Sequence, residues 1–249
     1  MNRSLIMPGI LKQHMHLFFQ PDPKVFELDE EESRHCTKVL RLSSGDMIYI
    51  TNGRGLLQKC RLNIGKRNVT YESVETEFVP KRPYGVHMAI APTRKAERNE
   101  WMVEKMTEMG VERIDFIITE HTHKETVSRV VNLSRLNRIA ASAMKQSQQF
   151  YIPEIRLVNS FHSFINENLP DTRLIAYVPD NHLTEHVFKK VVKDTDTVLL
   201  IGPEGDFTPE EVKLAIGEGF EAVSLGATRL RTETAAVAGC HAINLAQFV

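Results

Sequence analysis

Two short segments of this 249-residue chain hold residue types able to do chemistry at close range. The first reads Ile201-Gly202-Pro203-Glu204-Gly205-Asp206-Phe207-Thr208-Pro209-Glu210-Glu211. An apolar strand over 197–201 runs into a Gly-Pro-Glu-Gly turn. A helix is then predicted with Thr208 as N-cap, Pro209 at the first helical position and Glu211 at the third. In open α/β sheets, ligands bind at loops on the carboxyl ends of strands, and glycines let the backbone approach a ligand closely. The spacing of Gly202 and Gly205 excludes the dinucleotide fingerprint, and no Gly-Lys-Ser/Thr follows to make a Walker loop. Glu204 and Asp206 would repel a phosphate. The turn suits a ligand with hydroxyls, an amino group or a cationic centre. An ordinary strand–turn–helix connection has the same pattern.

The second segment is Ser224-Leu225-Gly226-Ala227-Thr228-Arg229-Leu230-Arg231-Thr232-Glu233-Thr234-Ala235-Ala236. A strand again ends at a glycine, and a polar stretch leads into a helix. Thr232 is the predicted N-cap, which puts Glu233 in the first turn, where the helix dipole favours a carboxylate. Arg229, Arg231 and Glu233 are a chemical cluster on one reading and a solvated ion cluster on the other.

The elements that must carry these loops follow from hydrophobic periodicity. Residues 84–249 alternate strands (86–91, 114–118, 155–158, 174–178, 198–201, 222–225) with helices (96–109, 134–148, 183–193, 209–218 and from 233 onward). That alternation argues for an α/β domain with a mostly parallel sheet. Residues 1–83 read differently. Short runs at 16–19, 25–28, 47–51, 56–62 and 69–77 are separated by turn signals, and one helix at about 30–40 starts at Asp29 with Glu32 at capping-box spacing. Five strands and a helix suggest a small β-barrel. Val79-Pro80-Lys81-Arg82-Pro83 reads as the linker, its prolines unable to donate to a ladder.

Composition narrows the class. With 42% hydrophobic and 25% charged residues and a net charge of −1, the chain is neither disordered nor globally basic. The charge is uneven: between residues 34 and 67, Arg34, Lys38, Arg41, Arg54, Lys59, Arg61, Lys66 and Arg67 face only Asp46. Arg34, Lys38 and Arg41 fall at i, i+4, i+7, one face of the predicted helix, as phosphate-binding groups or as a merely solvated basic face. Three distant cysteines, Cys36, Cys60 and Cys240, argue against a disulfide scaffold and for a reducing compartment. His14, His16, His35, His121 and His123 lack metal-ligand spacing, so no metal is expected. No run approaches the ~18 apolar residues of a membrane span, and the first residues are not read as a signal peptide.

Three further segments join the first two. His35-Cys36-Thr37-Lys38-Val39-Leu40-Arg41-Leu42, Lys105-Met106-Thr107-Glu108-Met109-Gly110-Val111 and Pro153-Glu154-Ile155 stand in chain order before IGPEGDF…EEV and VSLGATRLRTETAA. Together they resemble the RsmE family, 16S ribosomal RNA (uracil) N3-methyltransferases of the SPOUT superfamily, over nearly the whole chain. One residue and two short segments depart from the family pattern. Asp206 stands where the family carries a second glycine after Pro-Glu. Lys145-Gln146-Ser147-Gln148-Gln149 replaces an E-Q-s-x-R motif, and Glu120-His121-Thr122-His123-Lys124 replaces an s-E-R motif.

The resemblance implies a PUA-like β-barrel over residues 1–80 that binds RNA. It implies a SPOUT domain over 84–249, a Rossmann-like, mostly parallel sheet tied into a trefoil knot. It implies S-adenosylmethionine as cofactor, a cytoplasmic homodimer packed through the knot, and 16S rRNA of the small subunit as partner. The cofactor would lie among Tyr177-Val178-Pro179, Ile201-Gly202-Pro203-Glu204-Gly205 and a third loop of Ser224, Leu225, Gly226, Leu230, Thr234 and Ala235, with Leu225 and Leu230 around the adenine. Arg231 would stabilise the uracil oxyanion or position the base. Glu233 would accept the N3 proton or orient Arg231. A SPOUT ribose 2′-O-methyltransferase and a non-catalytic RNA-binding assembly factor are the alternatives.

Overall fold

Burial of every second residue builds the first sheet. Ile48 and Ile50, Cys60 and Leu62, and Val69 and Tyr71 point inward together with Phe18 and Leu28. The computed structural model describes residues 15–177 and 184–249. The chain divides into two compact units, one of residues up to Lys81 with Met144–Ile152, the other of Arg82–Ala143 with Pro153–Val249.

In the first unit β1 (Leu17–Phe19) lies parallel to β2 (Met47–Thr51), which pairs antiparallel with β3 (Leu56–Ile64) and through it with β4 (Val69–Phe78). The strand expected at 25–28 is reduced to a single bridge, Glu27 to Thr70, flanked by Leu28 N to Val69 O (2.9 Å) and Tyr71 N to Phe26 O (3.1 Å). Gln20 links this flank to the opposite edge. Its amide donates to Thr51 O (3.0 Å) and its side chain to Glu27 O (3.0 Å), so the sheet curls on itself.

The expected helix begins as α1 (Glu30–Arg34), with Asp29 Oδ1 accepting the Glu32 amide at 2.8 Å. Glu32 does not close the capping box, because its carboxylate is drawn to Lys145. The helix widens into a π-helical turn over His35–Val39, with the Leu40 amide reaching the His35 carbonyl. It ends at Leu40, and Arg41 takes a left-handed φ of 55°. Arg34, Lys38 and Arg41 are all exposed, but Arg41 leaves the helical face that i+7 spacing assigned it. Residues 144–152 hold to this unit through Tyr151, which bridges Arg54 and donates its hydroxyl to Val79 O (2.6 Å), and through Ile152 N to Gly53 O (3.0 Å).

The second unit is a six-stranded, all-parallel sheet in the order β10-β8-β9-β5-β6-β7. Its strands are β5 (Val86–Ile90), β6 (Arg113–Ile117), β7 (Glu154–Val158), β8 (Thr172–Ala176), β9 (Thr197–Ile201) and β10 (Glu221–Val223). All five residues of β5 and of β9 are buried, as central parallel strands require. Helices α2 (Ala96–Glu108), α3 (Val127–Val130), α4 (Leu133–Gln146), α5 (Phe161–Ile165), α6 (Pro209–Gly217) and α7 (Thr232–Ala246) connect or cover the strands. Gly239 lets α7 lie directly on β9: a Cβ there would stand 2.4 Å from Leu199 Cδ2.

Two expected features change. Instead of a helix over 183–193, the described part forms one 3₁₀ turn at Val187–Lys189. The preceding residues are taken up by the sheet: Ser224 N donates to Glu185 O (2.8 Å) and Val187 N to Ser224 O (2.9 Å). The N-cap of α7 is Arg231, not Thr232. Thr232 is already helical, and its hydroxyl donates to Gly202 O at 3.1 Å. Helix α6 keeps its expected start, with both halves of the Thr208–Glu211 capping box present.

Candidate functional site

Three strand ends, β8, β9 and β10, open on one side of the sheet, and a cavity of about 1050 Å³ lies at their carboxyl ends. The chain after β9 supplies Ile201, Gly202, Pro203, Glu204, Gly205 and Asp206. The chain from β10 to α7 supplies Ser224, Leu225, Gly226, Leu230, Arg231 and Ala235, and Tyr177 follows β8. Thus most of the residues singled out in sequence converge on a single cavity. Thr234 is exposed on the first turn of α7 and is not part of its wall. Val178 and Pro179 lie outside the described residues.

Local chemistry shapes each wall. Ser224 Oγ both accepts the Gly226 amide and faces the Gly226 carbonyl at 3.1 Å, turning the chain at the end of β10. The Thr232–Gly202 bond ties the first turn of α7 to the loop after β9. In that loop the Asp206 amide donates to Pro203 O (3.0 Å), closing the turn over Glu204 and Gly205. Asp206 itself is left-handed at φ 69°, and its Oδ1 accepts the Phe207 amide at 2.8 Å. Burial raises the Asp206 carboxyl above the usual carboxylate range, an effect opposed by that amide and by the nearby Arg229 and His121.

Arg231 is exposed on the cavity wall, and among the described residues it forms no ion pair. Glu233 does not orient it. Instead, Glu233 Oε1 meets Arg98 Nε of α2 at 3.3 Å, and Arg98 Nη1 reaches Glu204 Oε1 at 3.3 Å. Glu233 is buried, lies outside the cavity lining, and its Oε2 has no hydrogen-bond partner among the described residues. Sequence reasoning missed Arg98, because no spacing relates it to either acid. It also left out Asp206 and Arg229 as wall residues, although both sit inside the segments it selected.

In the first unit, Arg34, Lys38 and Arg41 stand exposed with Val39, and none of the three makes an ion pair among the described residues. Glu32 and Lys145 pair with each other on that unit, leaving Glu32 Oε2 buried and unpartnered.

Known proteins match both units. The family model for an RNA methyltransferase domain matches residues 80–244, and that for an RNA methyltransferase PUA domain matches residues 28–71. A probable rRNA-methyltransferase from Porphyromonas gingivalis superposes with a TM-score of 0.86 at 38% identity, covering 94% of this chain and 99% of its own. A methyltransferase from Legionella pneumophila, solved with bound cofactor SAM, superposes with a TM-score of 0.82 at 29% identity, covering 94% and 98%. The ribosomal RNA small subunit methyltransferase E of Synechocystis sp. is 29% identical over 87% of this chain and 72% of its own length.

Proposed function

Since the chain belongs to the RNA methyltransferase family, in its RsmE branch, we propose that it methylates N3 of one uridine in 16S rRNA of the small ribosomal subunit, with S-adenosylmethionine as cofactor. The observation that carries this reading is the single cavity at the ends of β8, β9 and β10, with an acid-bearing glycine turn on one wall and Arg231 on another.

The donor set suits that cofactor. Glu204 and Asp206 would oppose a phosphate, whereas a ligand with a positive centre and hydroxyls meets carboxylates. When bound, S-adenosylmethionine supplies a methyl group on a positively charged sulfur. Leu225 and Leu230, both on the cavity wall, are assigned to the adenine, and Tyr177 to the rim.

Loss of the uracil N3 proton leaves negative charge on the ring oxygens. Arg231, free of any carboxylate partner among the described residues, is assigned to stabilise that charge and to orient the base. Glu233 is bonded to Arg98 and sits outside the cavity wall, which favours an anchoring role over proton acceptance. The proton then leaves to water at the open mouth. N3 lies on the pairing edge, so the target base must enter unpaired. The exposed Arg34, Lys38 and Arg41 are assigned to RNA phosphates.

We assign residues 1–80 to RNA binding and 84–249 to cofactor and catalysis, in a cytoplasmic homodimer. Among the described residues no helix is long and apolar enough to cross a membrane. The test is methyl transfer to unmodified small ribosomal subunits, followed by nucleoside mass spectrometry. N3-methyluridine near one per subunit is expected. A ribose-methylated nucleoside would overturn the chemistry, and cofactor binding without transfer would point to an assembly factor.

A further inference from the structure

Two loops at neighbouring strand ends touch each other: Asp206 in the turn after β9 and His121 in the segment after β6. His121 Nδ1 lies 2.9 Å from the Asp206 carbonyl oxygen. A carbonyl only accepts, so Nδ1 must carry the hydrogen, in the neutral and in the charged ring alike.

The backbone it holds is a demanding one. Gly205 at φ 112° and Asp206 at φ 69° are consecutive residues of positive φ. Glycine takes such angles freely, while a side chain costs about 1 kcal/mol or more, least for Asp and Asn. Three bonds hold Asp206 against that cost: its amide to Pro203 O, the Phe207 amide to its Oδ1, and His121 to its carbonyl. The first two are local to the turn. Among the described residues, only His121 comes from a different element, the loop that follows β6. The same turn presents Glu204, Gly205 and Asp206 to the cavity.

We propose that His121 is a positioning residue for the cofactor loop: its Nδ1–H latches the Asp206 carbonyl and offsets the cost of a side chain at the left-handed position 206. The inference rests on the reading of this cavity as the S-adenosylmethionine site. It makes His121 and Asp206 a compensating pair, so the latch matters only while residue 206 carries a side chain.

The experiment is calorimetric titration of the full chain with S-adenosylmethionine, in a double-mutant cycle. His121→Ala is expected to weaken binding about five- to tenfold, a change of about 1–1.4 kcal/mol. His121→Asn, whose amide nitrogen can stand where Nδ1 does, is expected to bind within about twofold of the unaltered chain, whereas His121→Asp, the same shape as Asn but with no donor, should fall with Ala. On an Asp206→Gly background, His121→Ala is expected to cost less than about twofold. Equal losses on both backgrounds, or an Asn variant as weak as Ala, would overturn the latch while leaving the cofactor site standing. Failure of the unaltered chain to bind S-adenosylmethionine would remove the cofactor reading and the inference with it.

Discussion

Arg98 Nε lies 3.3 Å from Glu233 Oε1, joining the first turn of the second unit's first long helix to the first turn of its last. The same guanidinium reaches Glu204 at 3.3 Å, so one side chain ties the turn after β9, which lines the cavity, to the first turn of α7. Glu233 is the more enclosed partner, at 12% side-chain exposure against 26% for Arg98. Truncating Arg98 therefore leaves a buried carboxylate without its counter-charge. Arg98→Ala is expected to lower stability by about 1–3 kcal/mol in urea denaturation, and adding Glu233→Gln should recover part of the loss. No recovery in the double variant would show that the pair does not couple.

Asp115 is fully buried in β6 and receives nitrogen from three side chains: His87 Nε2 at 2.8 Å, Arg113 Nε at 2.9 Å and Arg156 Nε at 2.8 Å. Glu167 shares both arginines. A fully enclosed carboxylate of this kind is held by its partners, and removing its charge strands them. Asp115→Asn is expected to cost about 3 kcal/mol in denaturant titration. A loss under about 1 kcal/mol would mean that Glu167 alone satisfies the arginines.

Asp206 sets a pH dependence. Burial raises its folded-state value above the unfolded one, so the folded chain holds the proton more tightly. Its contribution to stability is greatest in acid and is lost as pH rises through the raised value. Relative to the unaltered chain, Asp206→Asn should therefore gain melting temperature between about pH 3 and about pH 7. A difference in melting temperature that stays constant over that range would contradict the burial of the carboxyl.

Arg231→Ala is expected to lower turnover on small subunits by about 10²-fold or more while S-adenosylmethionine affinity stays within about twofold. The residue faces the cavity without a carboxylate partner among the described residues, so its loss disturbs charge stabilisation more than the fold. Full turnover in the variant would remove the oxyanion role.

Replacing Arg34, Lys38 and Arg41 together by Ala is expected to reduce the slope of log affinity against log salt by about 2–3 for an rRNA fragment. Melting temperature should change little, because all three are exposed. An unchanged slope would place the phosphate contacts elsewhere.

What could be read in advance was local. The capping box of Thr208 and Glu211, the apolar runs of β5 and β9, and the helix over 96–108 follow from residues within a few positions of one another. The two glycine-bearing loops were legible for the same reason, and both line the cavity. The expectation of a helix over 183–193 failed because a sheet partner, Ser224, claimed the backbone of residues 185–187. Thr232 failed as a cap because the Gly202 carbonyl took its hydroxyl.

The sequence by itself determined the periodicities, the Asp29 and Thr208 caps and the two loops, since each depends on neighbours along the chain. Only the tertiary structure decided which side chains answer one another. Arg98 meets Glu233, His121 meets the Asp206 carbonyl 85 positions away, and Lys145 meets Glu32 113 positions away. The same holds for residues 144–152, which fold with the first unit although the chain around them builds the second. The physical reason is that a charge or a donor selects its partner by distance and burial in three dimensions, and neither is written in spacing along the chain.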